Sequence, residues 1–338
     1  MRAYHLKEPK AGDGLEMVEL PDPKPRAHEI LVKVGAVSLN FRDLAIARGT
    51  YAFGTLSLPI VPCSDAAGRV MAVGANVTRF KVGDRAAPIF FPKWLGARVT
   101  REATATTLGA GGTGTLAELV AFDEAACVSV PEHLSDAEAA CLPCAGVTAW
   151  NAAFEGQPIR PGETVVTLGT GGVSLFMLAF AKLAGARVIA TTSSEEKRKQ
   201  LEALGADATI NYAATPEWDK AVLDLTGGEG ADLVVDVAGP KTLPRSLAAA
   251  RPGGRVTVIG AMGGPGEINP MPISGRSINV RGIYVGSRAM FESMNAAIAT
   301  NKLRPVVDRV FPFSEAPDAY RHLAARKHFG KVCIAVGG

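Results

Sequence analysis

Apolar residues are distributed along the chain in two rhythms. Up to about residue 125 they form short runs set off by Pro and Gly, such as Glu29-Ile-Leu-Val-Lys-Val-Gly-Ala-Val37 and Gly68-Arg-Val-Met-Ala-Val-Gly74. Runs of this kind predict strands between turns. The stretch Pro21-Asp22-Pro23-Lys24-Pro25 cannot supply regular backbone donors and reads as a loop. From Gly162 the rhythm changes. Thr164–Leu168 reads as a buried strand, and Val173 to Ala184 as a helix apolar nearly all round, closed by Gly185. Arg187–Thr191 reads as a second strand, and Ser193-Ser-Glu-Glu196 matches a capping box opening a helix that Gly205 ends. Strands are expected again at Ala208–Asn211, Asp232–Val237 and Arg255–Ile259, with helices between them. This alternation predicts an α/β fold, a doubly wound parallel sheet with helices on both faces. After Asn301 come a strand at Val306–Phe311, a helix from near Ser314 and a last strand at Lys331–Val336, expected to rejoin the β-rich N-terminal part.

The length, 338 residues, exceeds what one core usually organises and predicts two domains. Charged residues make up 20% and apolar ones 47%, which excludes a disordered chain. The net charge is +3 with the signs interspersed, so neither nucleic acid nor a membrane surface is an expected partner. The longest apolar stretch, Val173 to Ala190, is broken by Lys182, Gly185 and Arg187, and Met1 to Pro9 lacks the apolar core of a signal peptide. Five irregularly spaced cysteines do not make a disulfide framework; reduced thiols in a cytoplasm are expected.

The candidate chemistry starts at Gly169-Thr170-Gly171-Gly172-Val173-Ser174, between the Thr164–Leu168 strand and the apolar helix. Glycine permits the sharp turn and brings backbone N–H groups close to a pyrophosphate, whose charge a helix N-terminus favours. A glycine loop alone is weak evidence; its place between strand and helix makes it a dinucleotide site. Ser174 stands where the fingerprint's third glycine usually falls, and is still small. NAD-selective sites carry Asp or Glu at the end of the next strand. Here Thr191-Thr192-Ser193-Ser194 are neutral hydroxyls, followed one turn later by Lys197 and Arg198. A 2′-phosphate would meet donors there and no repelling carboxylate, so NADPH is the expected cofactor, with NADH possible. The plainer roles, Ser193 as a helix cap and Lys197 as solvated surface, are compatible with that.

Val37-Ser-Leu-Asn-Phe-Arg-Asp43, Phe80-Lys-Val-Gly-Asp84, Leu142-Pro-Cys-Ala-Gly-Val-Thr-Ala-Trp150, the Gly169–Ser174 loop, Leu204-Gly-Ala-Asp207 and Phe329-Gly-Lys331 together resemble the medium-chain dehydrogenase/reductase superfamily over essentially the whole chain. Within it the chain resembles the zinc-free, quinone-oxidoreductase-like branch often labelled zinc-type alcohol dehydrogenase-like. The resemblance implies a GroES-like catalytic domain (1–125 and 305–338), a Rossmann domain carrying NAD(P)H (126–304), an active site in the cleft between them, and a homodimer acting on a small molecule. It adds Thr148, Tyr212, Ala238, Gly260, Gly286, Phe329 and Lys331 to the expected cofactor site.

Zinc-dependent members hold their catalytic metal with Cys, His and a third ligand. Asn40 falls where the first Cys would be, and Cys63-Ser64-Asp65 where Gly-His-Glu would be. Cys144 falls near the third position, but one thiolate cannot hold Zn²⁺, and residues 86–126 contain no cysteine for a structural zinc. No zinc is expected, and Cys141-Leu-Pro-Cys144 reads as small residues packed at a helix start rather than as a redox or metal pair. Another group must then polarise the substrate carbonyl. Asn40, Arg42 and Tyr51 are the candidates, from a segment that lines the substrate side in the resembling enzymes. Asp43 is expected to anchor the loop through backbone amides. Phe53, Phe90, Phe91 and Trp94 read either as an apolar substrate wall or as ordinary packing. None of the five histidines has a general-base setting. The expected activity is NADPH-dependent hydride addition to a quinone, enone or activated carbonyl; the alternatives are an alcohol dehydrogenase and a non-catalytic NADPH-binding protein.

Overall fold

A computed structural model describes residues 1–10, 13–51, 56–96, 98–260 and 266–337. The chain divides into two units, Met1–Val147 with Val285–Gly338, and Thr148–Tyr284. The first unit opens with β1 (Arg2–Leu6) paired antiparallel to β2 (Leu15–Glu19). Next come β3 (Glu29–Leu39), α1 (Phe41–Ala47), β4 (Asp65–Val73), β5 (Arg85–Pro88), β6 (Leu119–Asp123), β7 (Cys127–Ser129) and α2 (Asp136–Ala140). Strand β3 is the axis of this unit. Its alternate residues Ile30, Val32 and Val34 are buried, and it pairs with β4 and β6.

The helix α3 (Val147–Phe154) leads into the second unit, where strands and helices alternate as the apolar pattern predicts. The order is β8 (Thr164–Leu168), α4 (Gly172–Leu183), β9 (Arg187–Thr192), α5 (Glu195–Ala203), β10 (Ala208–Asn211), α6 (Trp218–Leu225), β11 (Ala231–Asp236), α7 (Leu243–Ala249), β12 (Ala250–Val258), α8 (Met271–Gly275) and β13 (Asn279–Gly282). All six strands run parallel, in the order β10-β9-β8-β11-β12-β13. The order reverses between β8 and β11. Ligands of such sheets bind beyond the strands' carboxyl ends at this switch point.

The chain then returns to the first unit with α9 (Arg288–Asn301), β14 (Val307–Pro312), α10 (Ala316–Ala324) and β15 (Lys331–Ala335). Strand β15 lies antiparallel to β3 with Val332 opposite Leu39, and parallel to β14. Gly330 makes this entry possible. Its φ is +92°, and a Cβ there would stand 2.3 Å from the Val306 carbonyl oxygen.

The units meet at 147/148 and 284/285 rather than at the 125/126 and 304/305 read from the sequence. Residues 126–147 and 285–304 pack on the first sheet. Strand β7 pairs with β5, Arg85 pairs with Asp136 at 2.5 Å, and Asn295 Nδ2 on α9 donates to the Ser129 carbonyl at 2.8 Å. A change of rhythm marks where alternation begins, but not which sheet a flanking helix covers.

Candidate active site

The glycine turn follows from local chemistry. Gly169 has φ +76°, open to few residues but glycine, and Gly171 is the N-cap of α4. A Cβ on Gly169 or Gly171 would meet no atom within 4 Å, so the space over the turn is open. Thr170, Gly172 and Val173 complete the turn, and Ser174 does more than fit: its hydroxyl donates to the Leu168 carbonyl at 2.7 Å, tying helix to strand. Open space at the N-terminus of a twelve-residue helix suits a pyrophosphate, so the residues present fit a dinucleotide.

Strand β9 ends at Thr192, buried, and the N-cap of α5 is Ser194, not Ser193; the Ser194 hydroxyl accepts the Lys197 N–H at 3.4 Å. The helix starts one residue later than the capping box suggests, because the Ser194 backbone N–H is turned back to the Thr192 hydroxyl at 3.3 Å. Ser193 is left exposed. Arg198 is engaged with Glu195 on its own helix at 2.9 Å and with the Thr209 hydroxyl on β10 at 3.0 Å. Lys197 is half-buried, and Tyr212 is exposed at the end of β10, its N–H bonded to the Thr192 carbonyl.

Sequence reasoning passed over Asp236, the fully buried last residue of β11. It accepts from the Ala238 and Gly239 amides at 2.9 and 2.8 Å, from Ser246 Oγ at 2.7 Å and from Thr242 Oγ1 at 2.7 Å. An acid directly after the apolar run Leu233-Val-Val235, at the carboxyl end of the strand, was the available signal. Asp236 shapes the loop carrying Ala238, and Gly260 lies against that loop, where a Cβ would stand 1.7 Å from the Val237 carbonyl oxygen. Thr148, on α3, is buried. Gly286, Phe329 and Lys331 belong to the first unit.

In that unit Asn40 is the N-cap of α1 and is 8% exposed. Its backbone N–H donates to Asp43 Oδ2 at 2.7 Å, so Asp43 anchors the turn through a backbone amide as expected. Its side-chain Oδ1 accepts from Lys331 Nζ at 2.6 Å, and Lys331, 4% exposed, also donates to the Leu39 carbonyl at 2.5 Å. Asn40 Nδ2 lies close enough to Asp65 to ease its charge, yet has no partner at hydrogen-bond geometry among the described residues. Asp65 is fully buried and accepts Ser64 Oγ at 2.7 Å and the Cys144 N–H at 3.0 Å. Burial pushes its carboxyl above the usual range, opposed by Lys331, Ser64, Asn40 and the Cys144 amide. Burial likewise raises Asp43 to about 6, opposed chiefly by Arg42.

Arg42 is turned to internal partners. Nη1 donates to the Leu108 carbonyl at 2.8 Å, Nη2 to Thr107 Oγ1 at 2.9 Å and to the Tyr51 hydroxyl at 3.4 Å, and its guanidinium lies 4.5 Å from the Phe90 ring centroid. It therefore braces Tyr51 and the Thr107–Leu108 backbone. Phe90, Phe91 and Trp94 are buried and pack on one another, the ordinary-packing alternative; Phe53 lies outside the described residues. Cys141 and Cys144 do not face each other as a pair. Cys141 Sγ is 3.6 Å from Cys333 Sγ, and the Cys144 amide holds Asp65.

This donor set does not fit zinc. The amide of Asn40 and the hydroxyl of Ser64 stand where Cys and His would be, burial raises the Cys144 thiol, and a lysine ammonium donates to Asn40 Oδ1. Among the described residues no group of three or more His, Cys, Asp or Glu could hold a metal ion.

Comparison with known proteins gives two family matches, an alcohol dehydrogenase GroES-like domain over residues 26–132 and a zinc-binding dehydrogenase domain over 172–300. A zinc-type alcohol dehydrogenase-like protein of Schizosaccharomyces pombe is 42% identical over 328 residues, covering 95% of this chain and 94% of the relative. Human quinone oxidoreductase is 28% identical over 331 residues, 96% and 94% of the two chains. Among solved structures, an NAD-dependent alcohol dehydrogenase matches with a TM-score of 0.90 and 35% identity over the full length of both chains. A mycobacterial protein complexed with NADPH matches at 0.84 and 28%, covering 99% and 100%.

The buried Asp43 generates a pH test. Its folded-state pKa, about 6, lies above the ordinary 3.8, so the folded chain holds the proton more tightly than the unfolded one. The stability due to that proton is complete below about pH 4 and is lost as pH rises through 6, up to about 3 kcal/mol. Asp43→Asn keeps an acceptor for the Asn40 amide and removes the ionisation. Its urea midpoint, relative to wild type, is expected to rise between pH 5 and 8; parallel profiles would show that Asp43 does not titrate there.

Proposed function

Because the chain belongs to the medium-chain dehydrogenase/reductase superfamily, in its zinc-type alcohol dehydrogenase-like and quinone-oxidoreductase-like branch, we propose that it is a metal-independent, NADPH-dependent oxidoreductase that reduces a quinone, an enone or another activated carbonyl. The observation that carries this reading is the Asn40 amide. It sits where zinc-dependent relatives place a ligand, its oxygen is held by Lys331, and Nδ2 is buried without a partner among the described residues.

The Gly169–Val173 turn would hold the pyrophosphate of the dinucleotide, and Thr192, Ser193, Ser194, Lys197 and Tyr212 its adenosine end. Bound NADPH supplies the hydride. As hydride reaches the substrate, negative charge develops on the acceptor oxygen, and a pre-aimed N–H lowers that barrier. Asn40 Nδ2 is that donor. Tyr51 is a second donor or the proton source, steadied by Arg42. An amide dipole is a weaker electrophile than a metal ion, so the reading favours acceptors already electron-poor. A full alcohol dehydrogenase activity on unactivated alcohols, as the name of one neighbour suggests, asks more of this site.

Asn40→Ala tests the reading. It is expected to lower kcat on the best quinone or enone by roughly 100- to 1,000-fold, since one lost oxyanion donor costs about 2.7–4 kcal/mol, while Kd for NADPH stays unchanged. Tyr51→Phe should lose less, because water replaces a proton donor more readily than a fixed dipole. Full activity in Asn40→Ala would return Asn40 to a structural role, and no NADPH oxidation by wild type across the panel would favour a non-catalytic nucleotide-binding protein.

Cofactor choice is tested at Lys197. NADPH should bind more tightly than NADH, and Lys197→Ala should lower the NADPH/NADH affinity ratio at least tenfold, the cost of one charge-assisted contact at about 1.5–3 kcal/mol. An unchanged ratio would make Lys197 ordinary surface.

Metal independence has its own measurement. Elemental analysis of the purified protein is expected to find no stoichiometric zinc, and a chelator to leave kcat unaltered; about one tightly held zinc per chain would overturn it.

A further inference from the structure

The resemblance placed Lys331 among the cofactor contacts, yet its ammonium is turned inward. A lysine ammonium has three N–H donors and no acceptor. Here two of the donors are engaged, by the Leu39 carbonyl at 2.5 Å and Asn40 Oδ1 at 2.6 Å, in a side chain 4% exposed. The β15–β3 register explains the meeting. Val332 lies opposite Leu39, so Lys331 falls beside Asn40, and Gly330 lets the strand enter close to Val306. An amide has two chemically opposite ends. Left unanchored, it could present its carbonyl to a developing oxyanion, which is repulsive. Facing an ammonium, only the carbonyl end is tolerated, so Nδ2 must face away.

We infer that Lys331 is a positioning residue that fixes the Asn40 amide with Oδ1 inward, leaving Nδ2 as the end offered to the acceptor oxygen. The inference rests on the reading of Asn40 as the oxyanion donor. Lys331 also eases the buried charge of Asp65, which weakens the competing pull of that carboxylate on Nδ2. At this N-cap Asp43 Oδ2 accepts the Asn40 backbone N–H, which holds the first turn of α1.

The test separates positioning from cofactor binding by splitting kcat from Kd. Lys331→Met, Lys331→Arg, Asn40→Ala and the double variant Asn40→Ala/Lys331→Met are assayed with NADPH titrated by fluorescence and kcat taken on the best acceptor. Lys331→Met is expected to lower kcat at least tenfold with the NADPH Kd within twofold, and the double variant to be no slower than Asn40→Ala. A tenfold weaker NADPH with kcat preserved at saturation would make Lys331 a cofactor contact and overturn the inference, as would single losses that multiply in the double variant. Should Lys331→Met fail to fold because Asp65 loses its compensating charge, Lys331→Arg decides. It keeps the charge, but its planar fork does not reproduce both contacts, so lowered kcat with unchanged Kd supports positioning and wild-type kcat overturns it. Full activity in Asn40→Ala removes the Asn40 reading and this inference together. A slow Asn40→Ala beside a wild-type Lys331→Arg removes this inference alone.

Discussion

A charge taken out of water must find acceptors inside the protein or cost several kcal/mol, and the buried ammonium of Lys331 imposes that requirement on the first unit. Its acceptors are the last carbonyl of β3 and the side chain of the residue that caps α1. Asp65, on the neighbouring strand β4, lies in the same field and needs donors of its own, which come from Ser64 and from the backbone of the Leu142–Gly146 turn. Asp43 closes the set from the first turn of α1. A C-terminal strand, an N-terminal helix start and a turn a hundred residues later are thus held to one small cluster. None of these contacts is close in sequence except those around Asn40 and Ser64. Losing one partner leaves the others buried and unpaired, which is why such clusters behave as units.

The second unit meets a similar demand with a carboxylate. Asp236 is buried at the carboxyl end of β11 and is satisfied by two amides and the Thr242 hydroxyl of the loop that follows it and by the Ser246 hydroxyl on α7. The outcome is a fixed loop beside the switch point, next to a glycine turn whose open space and helix N-terminus suit phosphate. Rigid backbone, rather than charged side chains, prepares this site. A helix dipole and free amides favour an anion without requiring a lysine in the pocket.

The two clusters also divide the chemistry. The open glycine turn that suits a dinucleotide lies in the second unit, and the buried contact between Lys331 and Asn40 lies in the first. On the proposed reading, the buried ammonium of Lys331 acts through the orientation of the Asn40 amide and not by bonding to the substrate.

By itself the sequence determined the elements and the cofactor turn. Short apolar runs and glycine-bounded helices depend on neighbours within a few residues, so Thr164–Leu168, Ala208–Asn211 and the Gly169–Ser174 turn were legible from local pattern. The absence of zinc-type ligands at Asn40 and Ser64 was legible too, because residue identity decides donor chemistry. Tertiary structure alone decided which groups meet. Strand register set Lys331 against Asn40, 291 positions away, and the packing of α2 on the first sheet set Asp136 against Arg85, which places α2 in the first unit. Tertiary structure also turned Arg42 inward to Thr107 and Leu108, and made Ser194 the cap where the sequence pattern pointed to Ser193. Burial and pairing depend on distant parts of the chain, and a one-dimensional pattern carries no record of them.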